Sequence, residues 1–211
     1  MSNARFAVIP LALALLVAAP LARATPEVWA RSYSLETQGN SRGALEALES
    51  LPEAEHAGYL FTLRHGWLLY LAGRYDASVA AYRQAAALTT ESLEAPLGEL
   101  LPLLALRRWS EAEQRARAVL ARDADNYLAT RRLALALFGL GRFDDAEQAY
   151  RAVSRRYPSD LEMLSGIAWC QARRGHRDEA AAMFRSVLAV NPEDTTARAG
   201  LTAMTTAEPA R

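Results

Sequence analysis

A short motif that opens with glycine and runs through charged residues to an alanine recurs along this chain at a fixed spacing. Its clearest copies begin at Gly73, Gly141 and Gly175, so that successive copies lie 68 and 34 residues apart. The copy expected between the first two falls at Arg107, where the glycine is lost. Gly39 opens a weaker copy one step before Gly73. A fixed period of this length is typical of repeat architectures. Five units of 34 residues tile the chain without insertion, at 25–58, 59–92, 93–126, 127–160 and 161–194.

Within each unit the residue types predict two helices that pack against each other and against the next unit. Small residues, which allow two helices to approach closely, face large aromatic residues on the expected contact surfaces. The small residues are Gly66, Ala134 and Ala168, and the large ones are Tyr82, Tyr150 and Phe184. The recurring glycines suit the left-handed backbone conformation that ends a helix. Because one helix pair cannot bury its own apolar face, we expect the units to stack in series and share a continuous core.

The fourth unit shows the pattern most completely. It has Leu133, Ala134 and Leu137 in the first helix, Gly141 and Phe143 at the turn, Ala146 and Tyr150 in the second helix, and Pro158 at the exit. These positions resemble the tetratricopeptide repeat, a pair of antiparallel helices, and the resemblance covers 170 of the 187 residues that follow residue 24. It implies an all-α fold in which about five helix pairs stack into a right-handed superhelical solenoid.

Three segments depart from the repeat pattern. The first unit lacks the aromatic residue at its turn and Pro52 shortens its second helix, so we expect it to be a divergent N-terminal cap. Residues 195–211 predict a short capping helix as far as Met204, followed by a frayed tail. In the third unit Pro102 follows Gly98 by four residues, which predicts a kink in the first helix and a wider groove around Leu101 and Leu104. The alternative is a helix that simply begins at a different residue.

The first 24 residues have the features of a secretory signal peptide. Arg5 precedes an uncharged stretch rich in Leu and Ala, from Phe6 to Ala22, and this stretch ends in the A-x-A pattern Ala22-Arg23-Ala24. We therefore expect cleavage after Ala24 and an exported mature protein, periplasmic or secreted, with only indirect membrane association. An uncleaved anchor is the alternative, although the stretch is short and contains two prolines.

Charge and composition argue against several classes of function. The chain has 24 basic and 24 acidic side chains, and without residues 1–24 it would have 22 and 24. A mildly acidic protein of this kind is a poor nucleic-acid binder. The three histidines and the single cysteine, Cys170, show no metal-ligand spacing, and the sequence contains no phosphate-binding loop and no nucleophile motif. We therefore expect no metal, no cofactor, no small-molecule substrate and no catalytic activity, with Cys170 as a buried structural residue.

In tetratricopeptide proteins the first helices of successive units line a concave groove, and the resemblance implies that a partner binds there. Helical phase places a mainly apolar set of side chains on this face. The set consists of Trp29, Tyr33, Leu63, Trp67, Tyr70, Leu101, Leu104, Arg131, Leu135, Phe138, Trp169 and Arg173. Burial in the packing between units is the alternative for each of them. Because the set holds three of the four tryptophans, and Trp, Tyr and Arg dominate interface energetics, we expect it to include the binding site.

The composition of this face predicts the class of partner. Its side chains are apolar or aromatic, with arginines only at Arg131 and Arg173, and the clustered Lys, Arg and Asn that grip a free C-terminal carboxylate in some tetratricopeptide grooves are missing. We expect an apolar or amphipathic peptide or helix from another protein of the cell envelope, with the two arginines placed to fix an acidic residue. The predicted function is a non-catalytic adaptor or scaffold, and the alternative is a periplasmic chaperone-like holder of unfolded exported proteins.

Overall fold

The computed structural model describes the backbone of residues 21–206 and the side chains of residues 25–206, and within this part the chain forms twelve α-helices and no strand. The helices are α1 Leu21–Thr37, α2 Ser41–Glu49, α3 Glu53–His56, α4 Tyr59–Leu71, α5 Tyr75–Leu88, α6 Glu94–Ala105, α7 Trp109–Leu120, α8 Tyr127–Gly139, α9 Phe143–Arg156, α10 Leu161–Arg173, α11 Arg177–Val190 and α12 Thr195–Thr206. None of these helices has the length and apolar character that crossing a membrane requires.

The chain divides into two compact units, Met1–Leu51 and Pro52–Arg211. In the first compact unit α1 packs against α2. The buried hydroxyl of Ser32 donates a hydrogen bond of 2.8 Å to the carbonyl oxygen of Ala44. Helix α2 has nine residues and ends at Glu49, three residues before Pro52. The expected signal peptide lies outside the described residues, except that α1 begins at Leu21, before the expected cleavage point.

The second compact unit is built from four helix pairs in series. Each first helix packs against the second helix of its own pair, and each second helix packs against the first helix of the next pair, from α4 and α5 through to α10 and α11. The first helices also contact one another in order, and α12 closes the series by packing on α11 and α10. The fold is therefore an all-α solenoid of helix pairs, as the sequence predicts.

The turns inside the helix pairs use the left-handed backbone region. Gly73, Gly141 and Gly175 have φ values of +75°, +76° and +91° there. Arg107 occupies the same place in the third repeat with φ of 56°, and no other non-glycine residue in the described part of the chain has a positive φ. Since a side chain is strained in this region, the third turn is less favourable than its glycine-containing counterparts.

Aromatic rings of the second helices rest on glycines in the first helices that follow. A Cβ atom added to Gly98 would lie 2.3 Å from the ring of Tyr82, and one added to Gly166 would lie 2.7 Å from the ring of Tyr150. The glycine at 200 has the same relation to Phe184 in α11. Each pair is separated by sixteen positions, so the contact repeats with the 34-residue period. It explains Gly98, which the sequence associated with a kink, as a packing requirement of Tyr82.

The third repeat inverts this arrangement. Ala116 of α7 takes the place of the aromatic residue, and Arg132 of α8 takes the place of the glycine. Ala116 is fully buried, and the Arg132 side chain extends to α6, where its Nη1 donates a hydrogen bond of 2.6 Å to the carbonyl oxygen of Leu97. A small residue on one helix is thus matched by a large one on its neighbour.

Helix α6 is continuous through Pro102. It runs from Glu94 to Ala105 with the proline inside it and buried. The start of the helix lies eight residues before the proline, so the alternative of a displaced helix start does not apply. Leu101 and Leu104, on either side of the proline, are half-buried.

A buried carboxylate ties α5, α6 and α7 together. Glu99 is fully buried, with the Nε atoms of Arg83 and Arg115 each 2.7 Å from one of its carboxylate oxygens. Arg83 also pairs with Glu111, which accepts two further bonds from Arg108. Hydrogen bonds from Arg108 and then Arg83 lower the pKa of Glu111 to about 2.

Candidate functional site

The residues predicted for the groove lie on first helices. Trp29 and Tyr33 are on α1 of the first compact unit, where Trp29 is half-buried and Tyr33 is exposed. The other ten lie in the second unit. They are Leu63, Trp67 and Tyr70 on α4, Leu101 and Leu104 on α6, Arg131, Leu135 and Phe138 on α8, and Trp169 and Arg173 on α10. The two groups belong to different compact units.

On α4 and α6 the predicted side chains are shared between packing and surface. Leu63 and Trp67 are half-buried and pack against the cluster formed by Tyr82, Ala85 and Ala95. The Trp67 ring stacks on Tyr70, with ring centroids 5.7 Å apart. On α6, Leu104 packs against the main core of the second compact unit and is likewise half-buried. These residues are therefore neither wholly core nor wholly exposed.

On α8 and α10 four of the predicted residues meet around one cavity of about 440 Å³. These are Leu135, Phe138, Trp169 and Arg173. Leu135 is 42% exposed, while Phe138 and Trp169 are half-buried. The other four lining residues were not among those predicted; they are Tyr150, Glu162, Gly166 and Thr196. We call this depression, with its eight lining residues, the α8–α10 cavity.

Gly166 brings an aromatic ring of α9 to the wall of the α8–α10 cavity. This residue has no side chain, so the ring of Tyr150 from α9 packs against the α10 backbone and also lines the cavity. Two of the three aromatic lining residues are held from behind by edge-to-face contacts, Phe138 on Phe143 at 5.3 Å and Trp169 on Phe184 at 5.4 Å between ring centroids. The aromatic walls are thus fixed by the core before any ligand arrives.

The charges at the two ends of the α8–α10 cavity differ in their partners. Glu162 pairs with Arg131, whose Nε donates a hydrogen bond of 2.9 Å and whose second nitrogen bonds the other carboxylate oxygen. Arg131, which the sequence predicts to fix an acidic residue of a partner, is therefore already paired with a carboxylate of the chain itself. Arg173, at the other end, lies over the ring of Phe143, with its Cζ atom 5.2 Å from the ring centroid.

A larger cavity of about 920 Å³ lies on the side of the second helices, between α7 and α9. Arginines line its rim, but most of them are paired in the chain. Arg117 bonds Glu113, Arg151 bonds Glu147 and Arg156 bonds Asp125. Its polar lining is thus largely satisfied internally, whereas the α8–α10 cavity exposes apolar side chains.

Other chemistry is not assembled in the described residues. No group of three or more His, Cys, Asp and Glu side chains that could hold a metal ion occurs there. The lone cysteine, Cys170, is fully buried, and burial raises the pKa of its thiol to about 12. The thiol is therefore protonated and unreactive at neutral pH.

The helix pairs, their glycine-containing turns and the aromatic–glycine contacts define a repeat protein in which helix pairs stack into a solenoid. Three family models, each described as a tetratricopeptide repeat, match residues 30–92, 103–170 and 163–194. The chain belongs to the tetratricopeptide repeat family. Members of this family are protein-interaction scaffolds that bind protein partners.

Solved structures with the same fold share little sequence with this chain. A tetratricopeptide repeat protein from Parabacteroides merdae ATCC 43184 is similar with a TM-score of 0.74 at 18% identity, over 86% of this chain and 72% of that one. A MamA fragment from Desulfovibrio magneticus RS-1, running from residue 41 to the end, is similar with a TM-score of 0.72 at 18% identity, over 82% of this chain and 97% of that one. No curated protein matches the sequence. These likenesses establish the fold.

Proposed function

We propose that this chain is an exported, non-catalytic adaptor of the cell envelope that binds an apolar or amphipathic segment of a partner protein in the groove of its second compact unit. The observation that carries the proposal is the α8–α10 cavity, where four side chains chosen by helical phase converge. Its volume of about 440 Å³ lies within the range of about 300–1,000 Å³ that is usual for ligand pockets.

The lining residues suit a protein partner. Aromatic and arginine side chains supply most of the binding free energy at protein interfaces, especially when they are held rigidly in a pocket. Phe138 and Trp169 have this character because Phe143 and Phe184 support them from behind. A bulky apolar side chain of the partner would displace water from Leu135, which is 42% exposed, and this burial favours binding.

Export is the second part of the proposal and rests on residues 1–24. Their uncharged stretch and A-x-A pattern are those of a secretory signal peptide. Fractionation of cells that produce the full chain, with mass spectrometry of the mature N-terminus, tests this part. A periplasmic or secreted product that begins at Thr25 supports it, and a cytoplasmic product that retains Met1 contradicts it.

The binding test compares two leucines of similar exposure. Leu135 lines the α8–α10 cavity, whereas Leu88, which is 49% exposed, lies at the end of α5 among the second helices. The full chain and its Leu135→Asp and Leu88→Asp variants are used to capture envelope proteins, which are identified by mass spectrometry. We expect a small set of partners that Leu135→Asp loses and Leu88→Asp keeps.

Two results would contradict the groove proposal. Equal recovery of the same partner by both variants would place the binding site elsewhere. Recovery of many unrelated chains, with no defined partner, would favour the holder of unfolded exported proteins instead. Far-ultraviolet circular dichroism of both variants checks that the helices are retained.

A further inference from the structure

The strip of α10 that lines the α8–α10 cavity has an ordered chemistry. Glu162, Gly166, Trp169 and Arg173 follow one another at helical spacing along it. Successive members of such a series lie on one face of a helix. The strip therefore runs from an acidic end, across an apolar middle, to a basic end.

The two charged ends differ in what a ligand can do with them. At the acidic end, Arg131 already neutralises Glu162 through two hydrogen bonds. At the basic end, Arg173 pairs with no carboxylate in the described part of the chain, and its guanidinium rests on the face of Phe143 instead. The stacked ring limits the movement of the arginine while leaving its N–H donors available. The charge of the cavity is thus uncompensated at one end only.

The distance between the apolar and the basic parts is set by the helix. Arg173 follows Trp169 by four residues, which corresponds to a rise of about 6 Å along the α10 axis. A partner side chain that fills the apolar middle therefore lies about one helical turn from Arg173.

We infer that the occupant of the α8–α10 cavity is a protein segment with a bulky apolar side chain and, on the same face about 6 Å away, a carboxylate that pairs with Arg173. The inference rests on the proposed function. It narrows the class of partner from any apolar or amphipathic segment to one that also carries an acidic residue at a defined spacing. The corresponding positions are three or four residues apart in a helical partner and two residues apart in an extended one. Arg173 is then the residue that sets charge specificity, while Leu135, Phe138 and Trp169 supply the apolar contact.

The experiment uses a phage-displayed library of random dodecapeptides, selected on the full-length chain and on four variants. Arg173→Gln removes the charge and Arg173→Glu reverses it. Arg185→Gln removes another exposed arginine, on α11, and is the matched control. Leu135→Asp tests whether the selected peptides occupy the cavity at all.

The expected result is a consensus with a bulky apolar residue and Asp or Glu at one fixed spacing. Arg173→Gln keeps the apolar preference and loses the acidic one, and Arg173→Glu changes it to Lys or Arg, which a purely structural role of Arg173 would not do. A selected acidic peptide should bind Arg173→Gln roughly two- to fivefold more weakly than the unmodified chain, as expected for an exposed ion pair. The difference should shrink at high salt.

Two further results would overturn the inference, and they can be told apart. An apolar consensus without an acidic position, or an acidic preference that is the same in Arg173→Gln, Arg173→Glu and Arg185→Gln, refutes the role of Arg173 and leaves the groove proposal standing. A consensus that Leu135→Asp does not alter, or no consensus at all, contradicts the groove proposal together with the inference.

Discussion

Replacement of Arg107 by glycine should stabilise the protein. Arg107 has φ of 56° at the turn between α6 and α7, where the other helix pairs of the second unit have glycine. The side chain is exposed and makes no hydrogen bond or ion pair within the described residues, so its removal sacrifices no polar interaction. The backbone hydrogen bonds of the turn, such as Arg108 N to Leu103 O at 2.9 Å, do not depend on the side chain.

The magnitude follows from two opposing terms. A non-glycine residue in the left-handed region costs about 1–2 kcal/mol, which the substitution removes. Glycine adds conformational freedom to the unfolded chain, which costs roughly 0.5–1 kcal/mol. The net gain in the free energy of unfolding is therefore about 0.5–1 kcal/mol. For a chain of this size it corresponds to a rise in Tm of roughly 1–4 °C.

The reverse substitution, of a turn glycine by a residue with a side chain, provides the control. Gly141 has φ of +76°, and a Cβ atom added there would meet no atom within 4 Å, so Gly141→Ala introduces backbone strain without a steric clash. It should lower the free energy of unfolding by about 1 kcal/mol. Thermal and urea unfolding, followed by far-ultraviolet circular dichroism, measure both changes. A destabilised Arg107→Gly protein, or a Gly141→Ala protein as stable as the unmodified chain, would refute the reasoning.

Three further predictions concern packing, pH and reactivity. Gly98→Ala should lower the free energy of unfolding by about 1–3 kcal/mol through overlap with Tyr82, and Tyr82→Leu in the same chain should recover part of the loss; additive effects in the double-mutant cycle would exclude the contact. The pKa of Glu111 is about 2 in the folded chain against an ordinary 4.5, so its stabilisation is complete above pH 4.5 and is lost as the pH falls towards 2. Urea unfolding at a series of pH values should therefore show a shallower acid dependence for Glu111→Gln, and an unchanged slope would contradict the assigned ion pairs. Cys170 should react with a maleimide only after unfolding, as measured by mass spectrometry, and rapid labelling of the native chain would show that the thiol is accessible.

The helix pairs could be predicted because the information for them is local and periodic. Gly73, Gly141 and Gly175 identify turns through a backbone requirement that few other residues meet. Arg107 could be placed by the period alone, and its positive φ shows that the turn keeps the left-handed conformation even without glycine. The role of Gly98 was harder to anticipate, because its packing against Tyr82 depends on a residue in the preceding helix.

The candidate site was predictable only on its first-helix side. Helical phase selected Leu135, Phe138 and Trp169 because each falls outside the positions assigned to the core, although Phe138 and Trp169 also contact the second helices of their own pairs. Tyr150 was assigned to the core, and nothing in one helix indicates that a glycine in the next would leave its ring lining a cavity. The signal was present in the sequence as a second periodic series, with a glycine sixteen positions after Tyr82, Tyr150 and Phe184. The pairing of Arg131 with Glu162 joins residues 31 positions apart and requires the assembled repeats.

The exchange of Tyr and Gly for Ala116 and Arg132 bears on how such an array can be lengthened. A tandem copy of residues 161–194 would set Phe184 against a second Gly166, which accepts an aromatic ring, so duplication of this segment should give a folded, longer protein. A tandem copy of 127–160 would set Tyr150 against a second Arg132, where a ring and a long side chain would need the same space. The repeats are equal in length but not interchangeable, and engineered insertions or gene duplications should be tolerated at the C-terminal end of the array and rejected in its middle.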